Sequence, residues 1–346
     1  MDRRYSLDAM RGVAALAVVL YHVHPRLGLA NSGYLAVDLF FALSGIVIAG
    51  RYGPPLRAGQ GVGAFLARRV IRLYPMYLVG LILGAAELLG QYKLGYPQAL
   101  RPAELAWAAL AGIVMLPART SILPLYPLNG PSWTLMFELL ANIAFAALLV
   151  RWRARWLAGL CLVLLPLLIW SVHPDLGLER GGAWSEIPYG LLRVGFSFTL
   201  GVWLYEAVLR DRAGAVSTGW MLPLVLVALA LCLAPPPGFR GGYDLVVVVL
   251  LFPALLVAGA RWDPPARWRG IATWLGDVSY PLYAVHYPLL FVVSFAARRM
   301  AVPTAIWVPA MLVGLLIVAH VLARRVDPVA RRWLTARWMR ADLSAA

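Results

Sequence analysis

The stretch LDAMRGVAALAVVLYH, Leu7–His22, decides how the chain is read. It is apolar enough for a bilayer span, yet it holds Arg11 and places His22 at its far end. An α-helix turns about 100° and rises about 1.5 Å per residue. The eleven-residue spacing therefore sets Arg11 and His22 within about 20° of each other and about 16.5 Å apart on one face. A central Arg in a span costs on the order of 2.5–3.5 kcal/mol on insertion scales. Ionisable groups kept at that cost face a bundle interior or a wet cavity.

The rest of the chain is of the same kind. Of its 346 residues 62% are hydrophobic, and the mean hydropathy is +0.75. Soluble domains are about 45–50% apolar, so the expected fold class is an all-α integral membrane protein surrounded by lipid. A net charge of +15 would suit nucleic acid, but the Arg residues lie mostly between apolar runs, where they orient spans. Nucleic acid is therefore not an expected partner. The two cysteines, Cys161 and Cys232, sit inside apolar runs and the histidines are dispersed, so neither a disulfide framework nor a metal site is expected. MDRRYSLDAM runs into the first apolar stretch without a small-residue cleavage site, which predicts a retained first span.

Runs of about 17–25 apolar residues can span. They occur at 8–27, 33–50, 70–90, 133–150, 156–172, 188–208, 219–234, 243–260, 271–295 and 304–323. That predicts ten spans within one polytopic domain, 1–346, with both termini cytoplasmic. Charge decides the short run Leu105–Leu116: if it spanned, the basic RWRAR (Arg151–Arg155) would lie outside. It is read as a re-entrant or interfacial helix. RWRAR, RDR (Arg210–Arg212), RWDPPARWR (Arg261–Arg269) and the basic tail 324–346 then face the cytoplasm. The loop His173–Glu186, with Asp175, Glu179 and Glu186, faces out, and only Arg298 and Arg299 fall on the disfavoured side. The implied location is the cytoplasmic membrane.

This topology sorts the intramembrane polar groups into two tiers. Asp8, Arg11, Arg68, Arg69 and Arg72 gather near the cytoplasmic face; His22, Asp38, Glu138, Arg193 and His286 lie in the outer half. Arg clusters suit phosphates, through bidentate charge-assisted hydrogen bonds. A His with a carboxylate beside it suits general-base removal of a hydroxyl proton. Together they describe an anionic cytoplasmic donor and an alcohol acceptor reached from outside. Structural roles are open to the same residues. Arg68, Arg69 and Arg72 can anchor the span, and Asp38 and Arg193 can pair with each other or with Arg11. Glu138 can cap its helix, and His286 can be a satisfied bundle histidine. Trp133 falls at a predicted membrane edge, where an aromatic belt explains it.

Five stretches carry a family resemblance. LDAMRGVAALAVVLYH resembles the first-helix signature of the membrane acyltransferase-3 family, with its Arg and His at Arg11 and His22. GYLAVDLFFALSG (Gly33–Gly45) is similar to the second-helix G-V-D-x-F-F-x-x-S-G element, with Ala36 where the pattern has Gly. FLARRVIRLYPMY supplies an R-x-x-R pair as Arg69 and Arg72. PSWTLMFE (Pro131–Glu138) resembles W-S-L-x-x-E with Thr134 for Ser, and SYPLYAVHYPLL (Ser279–Leu290) resembles S-Y-x-L-Y-x-x-H-x-P. The resemblance implies transfer of an acyl group, acetyl by default, from acyl-CoA to a hydroxyl of an extracytoplasmic carbohydrate or small molecule.

On that reading His22, Glu138, Asp38 and Arg11 form the catalytic set, and Asp38 or Glu138 orients His22. Arg68, Arg69, Arg72 and Arg11 hold the acyl-CoA donor, and no metal takes part. Arg193, His286, Trp133 and Tyr283 are the candidates for the acceptor side, with Arg193 offered as the oxyanion donor. The sequence also admits a homo-oligomer. The rival class is a transporter or flippase for an anionic lipid-linked sugar, which explains the basic tier but has no need of a base such as His22.

Overall fold

A computed structural model describes residues 3–23, 30–97, 99–210, 216–217, 221–234 and 238–339. The far end of the predicted span 8–27, the start of 219–234 and the last residues of the predicted tail lie outside these. The described chain is helical: α1 Tyr5–Val23, α2 Ala36–Arg57, α3 Val62–Lys93, α4 Pro102–Ile113, α5 Trp133–Ala147, α6 Ala154–Trp170 and α7 Ile187–Leu204. Then follow α8 Met221–Cys232, α9 Arg240–Val246 running through a π-turn into α10 Phe252–Arg261, α11 Ala266–Arg299, α12 Thr304–Val321 and α13 Asp327–Trp338. The short strands β1 Val216–Ser217 and β2 Trp262–Asp263 pair in parallel.

Seven helical segments among the described residues are long and apolar enough to cross a membrane: 5–23, 33–57, 62–93, 184–209, 240–261, 266–299 and 304–338. The chain is thus an all-α, multi-pass membrane protein. The other three predicted spans form shorter helices, α5 of 15 residues, α6 of 17 and α8 of 12. α5 stops early because its end tightens into a 3₁₀ turn, Leu149–Arg151, where Arg57 Nη1 donates to the Val150 carbonyl at 3.2 Å. The run near 105–116 forms α4, 12 residues and about 18 Å long, too short to span. Glu104 at its start accepts backbone N–H groups from Ser121 (2.7 Å) and Arg101 (3.2 Å), which hold its carboxyl below the ordinary range. Helix continues through the predicted basic tail as far as Trp338.

The chain divides into two compact units. The first comprises Met1–Leu66, Phe137–Gly181 and Pro188–Asp277; the second comprises Ala67–Met136, Gly182–Ile187 and Val278–Ala346. In the first, α2 and α7 meet backbone to backbone. A Cβ at Gly45 would lie 2.3 Å from the Phe198 carbonyl oxygen, and one at Gly201 would lie 2.1 Å from that of Ala42. Small residues at such crossings let helices gain dispersion contacts that lipid-facing side chains cannot supply. Gly201→Ala is therefore expected to cost about 1–3 kcal/mol, the usual scale of overpacking. Gly159→Ala on α6, where no atom lies within 4 Å, is the matched control and should be neutral or slightly stabilising. Thermal unfolding in detergent reads both, and equal midpoints for the two variants would refute the close-approach account.

Candidate active site

In the first unit, α1 carries Arg11 and His22 as the spacing predicts. Arg11 Nη1 meets Asp8 at 3.3 Å, Asp8 accepts Arg3 at 2.7 Å, and Arg3 reaches on to Asp277 at 3.1 Å. His22 Nδ1 lies 2.8 Å from the Val18 carbonyl, one turn back on its own helix. A carbonyl only accepts, so Nδ1 carries the hydrogen and the neutral ring keeps its lone pair on Nε2. The Tyr21 ring packs edge-on against the imidazole, centroids 4.8 Å apart.

Asp38 is taken up by a different group. Arg193 Nη2 donates to its Oδ2 at 2.6 Å and Nε at 3.2 Å, while Ser197 Oγ donates to Oδ1 at 3.2 Å. The same guanidinium also donates to the Tyr34 carbonyl (3.0 Å) and the Arg180 carbonyl (2.8 Å). The pair is sealed, with side-chain exposures of 2% and 0%. Of the roles read from sequence, the structure thus displays the Asp38–Arg193 pairing. The Val18 carbonyl is one atom that orients the His22 ring. Glu138, on α5, accepts from Ser44 Oγ of α2 at 2.9 Å, which joins the second-helix and central motifs.

A larger network was not read from sequence. Tyr21 OH donates to Glu179, and Arg240 also pairs with Glu179. Arg240 Nε donates to Tyr34 OH at 3.0 Å, and Tyr34 donates to Asp244 Oδ1 at 2.7 Å. The second Asp244 oxygen accepts the Leu178 N–H at 2.7 Å. Two signals were present: Arg240 and Asp244 stand four apart at the start of a span, and Tyr21 adjoins His22. Glu179 was legible only as a charge that orients a loop.

The second unit holds the remaining candidates. Arg68, Arg69 and Arg72 on α3 fall within an arc of about 100°, so their side chains share one side of the helix. Arg69 is buried, whereas Arg72 is 39% exposed, lies 3.6 Å from Asp327 and stacks over the Tyr280 ring at 5.9 Å. Asp327 also pairs with Arg331. Thr134 Oγ1 lies 2.7 Å from Tyr283 OH, and both reach the Pro131 carbonyl, at 2.9 and 3.1 Å. His286 is fully buried with Nδ1 2.8 Å from the Tyr283 carbonyl. Trp133 opens α5, and its indole nitrogen borders Gly182. A cavity of about 10 Å³ among Leu81, Gly112, Tyr126, Asn129 and Ser132 has room for one water-sized group, not for a substrate.

Among known proteins, the "Putative peptidoglycan O-acetyltransferase YrhL" of Bacillus subtilis is 27% identical over 316 residues, covering 82% of this chain and 48% of that protein. The "Putative O-acetyltransferase SACOL0978" of Staphylococcus aureus is 26% identical over 322 residues, covering 84% of this chain and 51% of that one. The chain spans about half the length of these two relatives. "Protein 2 in picA locus" of Rhizobium radiobacter is 42% identical over 169 residues, covering 44% of this chain and 84% of that protein. No solved structure matches. A family model described as an acyltransferase domain matches residues 4–324, a stretch that holds all the motif residues from Arg11 to His286. Motif order, motif contacts and that match agree: the chain belongs to the acyltransferase-3 family.

Proposed function

We propose that the protein moves an acyl group, acetyl by default, from cytoplasmic acyl-CoA to a hydroxyl of an extracytoplasmic carbohydrate or related small molecule. The observation that carries this reading is His22. Its Nδ1 is committed to the Val18 carbonyl, which leaves the basic lone pair on Nε2. Such a ring takes the acceptor hydroxyl's proton as that oxygen bonds to the thioester carbonyl, and returns it to the departing thiolate. The products are an ester and free CoA.

The chain's other residues fit an acyl-CoA donor. Arg68 and Arg72, partly exposed on one arc of α3, offer guanidinium groups to its phosphates, and Asp327 and Tyr280 hold Arg72 in place. Relatives named as O-acetyltransferases, one of them for peptidoglycan, support an oxygen acceptor on a glycan. The basic segments between helices support cytoplasmic termini and residence in the cytoplasmic membrane.

The test is acetyl-CoA turnover by the purified protein in nanodiscs, with thiol release followed over time and radiolabelled acetyl traced into added glycan. Release of CoA with label in an alkali-labile ester is the expected result. Failure to bind or cleave acetyl-CoA would overturn the proposal in favour of transport without chemistry.

A further inference from the structure

Asn142 lies nine residues into α5 and one turn past Glu138. It is 0% exposed, and neither its Oδ1 nor its Nδ2 has a hydrogen-bond partner among the described residues. Four residues of helix separate it from Glu138 by about 40° and 6 Å, so the two side chains share a face. On that face Glu138 accepts from Ser44 at 2.9 Å. One turn further, Phe145 is buried and packs its ring with Phe65 and Phe198, centroids 6.4 and 6.3 Å apart. The amide therefore sits between a hydrogen-bonded carboxylate and an aromatic cluster.

An orphaned amide buried in a protein interior is costly, since no bulk water relieves it. Most buried polar groups are paired, and an exception calls for a ligand or a function. Asn142 offers a donor and an acceptor side by side on one plane.

We propose that Asn142 binds the pantetheine arm of the acyl donor, Nδ2 donating to one amide carbonyl of the arm and Oδ1 accepting an N–H from the other. This rests on the acyl-CoA reading above. A trans amide points its N–H and C=O in opposite directions. A single acetamido group on a sugar therefore satisfies only one of the two Asn142 atoms, whereas two amides in series satisfy both. Asn142 lies about 13.5 Å along α5 from Trp133.

The experiment compares wild type, Asn142→Leu and Asn142→Asp in nanodiscs. Equilibrium binding is measured for acetyl-CoA and for adenosine 3′,5′-bisphosphate, which lacks the arm; thermal unfolding is read in parallel. Asn142→Leu is expected to weaken acetyl-CoA binding about tenfold, the scale of two lost hydrogen bonds. Nucleotide binding should not change, and the unfolding midpoint should rise by about 2 °C or more because leucine leaves no bond unmade. Asn142→Asp, with no amide donor, should weaken acetyl-CoA binding as well. Unchanged acetyl-CoA affinity in the leucine variant, or a joint fall in stability and in both affinities, would overturn the inference. Wild type that binds the nucleotide but gains nothing from the arm would also overturn it while leaving a donor site standing. Wild type that binds neither probe would overturn the donor reading itself.

Discussion

His22→Ala is expected to lower acetyl-CoA turnover by at least about 100-fold, the lower end of what a positioned general base contributes. The argument runs through one hydrogen bond. Because Nδ1 faces the Val18 carbonyl at 2.8 Å, the ring cannot present Nδ1 to a substrate without breaking that contact. On the proposed reading, proton transfer falls to Nε2. His22→Gln keeps a polar group of similar reach but no titratable nitrogen, so it should fall as far as alanine. Thiol release measured over time, with unfolding in parallel, separates the cases. Turnover within tenfold of wild type in both variants would remove His22 as the base.

How far the site was legible depended on whether each residue carried its own warning. His22 and Arg11 did, because an ionisable side chain in an apolar run is anomalous on any hydropathy scale. Arg193 and Asp38 were anomalous in the same way, and their partnership was among the readings open, although 155 positions separate them. Tyr34 and Tyr21 carried no such warning. Tyrosine near a membrane edge is ordinary, and only the folded chain shows both hydroxyls drawn into one network with Glu179, Arg240 and Asp244. Asn142 was passed over for a related reason: an uncharged amide hardly disturbs a hydropathy window, so its isolation is visible only as geometry.

The spans show the same division. Long apolar runs such as 33–50 and 271–295 announce helices, and those helices are there, the latter inside the 34-residue α11. Helix ends depended on tertiary contacts. α5 ends at Ala147 beside a carbonyl held by Arg57, and α13 carries the helix past Arg324 and Arg325 with Asp327 paired to Arg72 and Arg331. The Arg57–Val150 and Arg72–Asp327 contacts are not local in sequence, and so neither boundary was legible.

The largest loss of stability is expected where the Asp38–Arg193 pair is broken from one side. Arg193→Met leaves a carboxylate at 0% exposure with Ser197 as its remaining partner shown here, and frees the Tyr34 and Arg180 carbonyls. Removing one member of a buried pair costs about 3–5 kcal/mol, because the other charge stays buried without compensation. Asp38→Leu strands the guanidinium in the same way. The double variant Asp38→Leu/Arg193→Met removes both charges, so it should unfold at a higher midpoint than either single variant, by the equivalent of about 1 kcal/mol or more. It should not regain wild-type stability, since the two carbonyls still lack their donor. Activity of the double variant then decides what the pair is for. If Asp38 and Arg193 only tie α2 to α7, turnover should return together with stability. If Arg193 polarises the reacting carbonyl, as an oxyanion donor must, the double variant should fold and stay inactive, with the loss in kcat. The contacts favour the first outcome, because the hydrogen bonds of Arg193 already engage Nε, Nη1 and Nη2 within the protein.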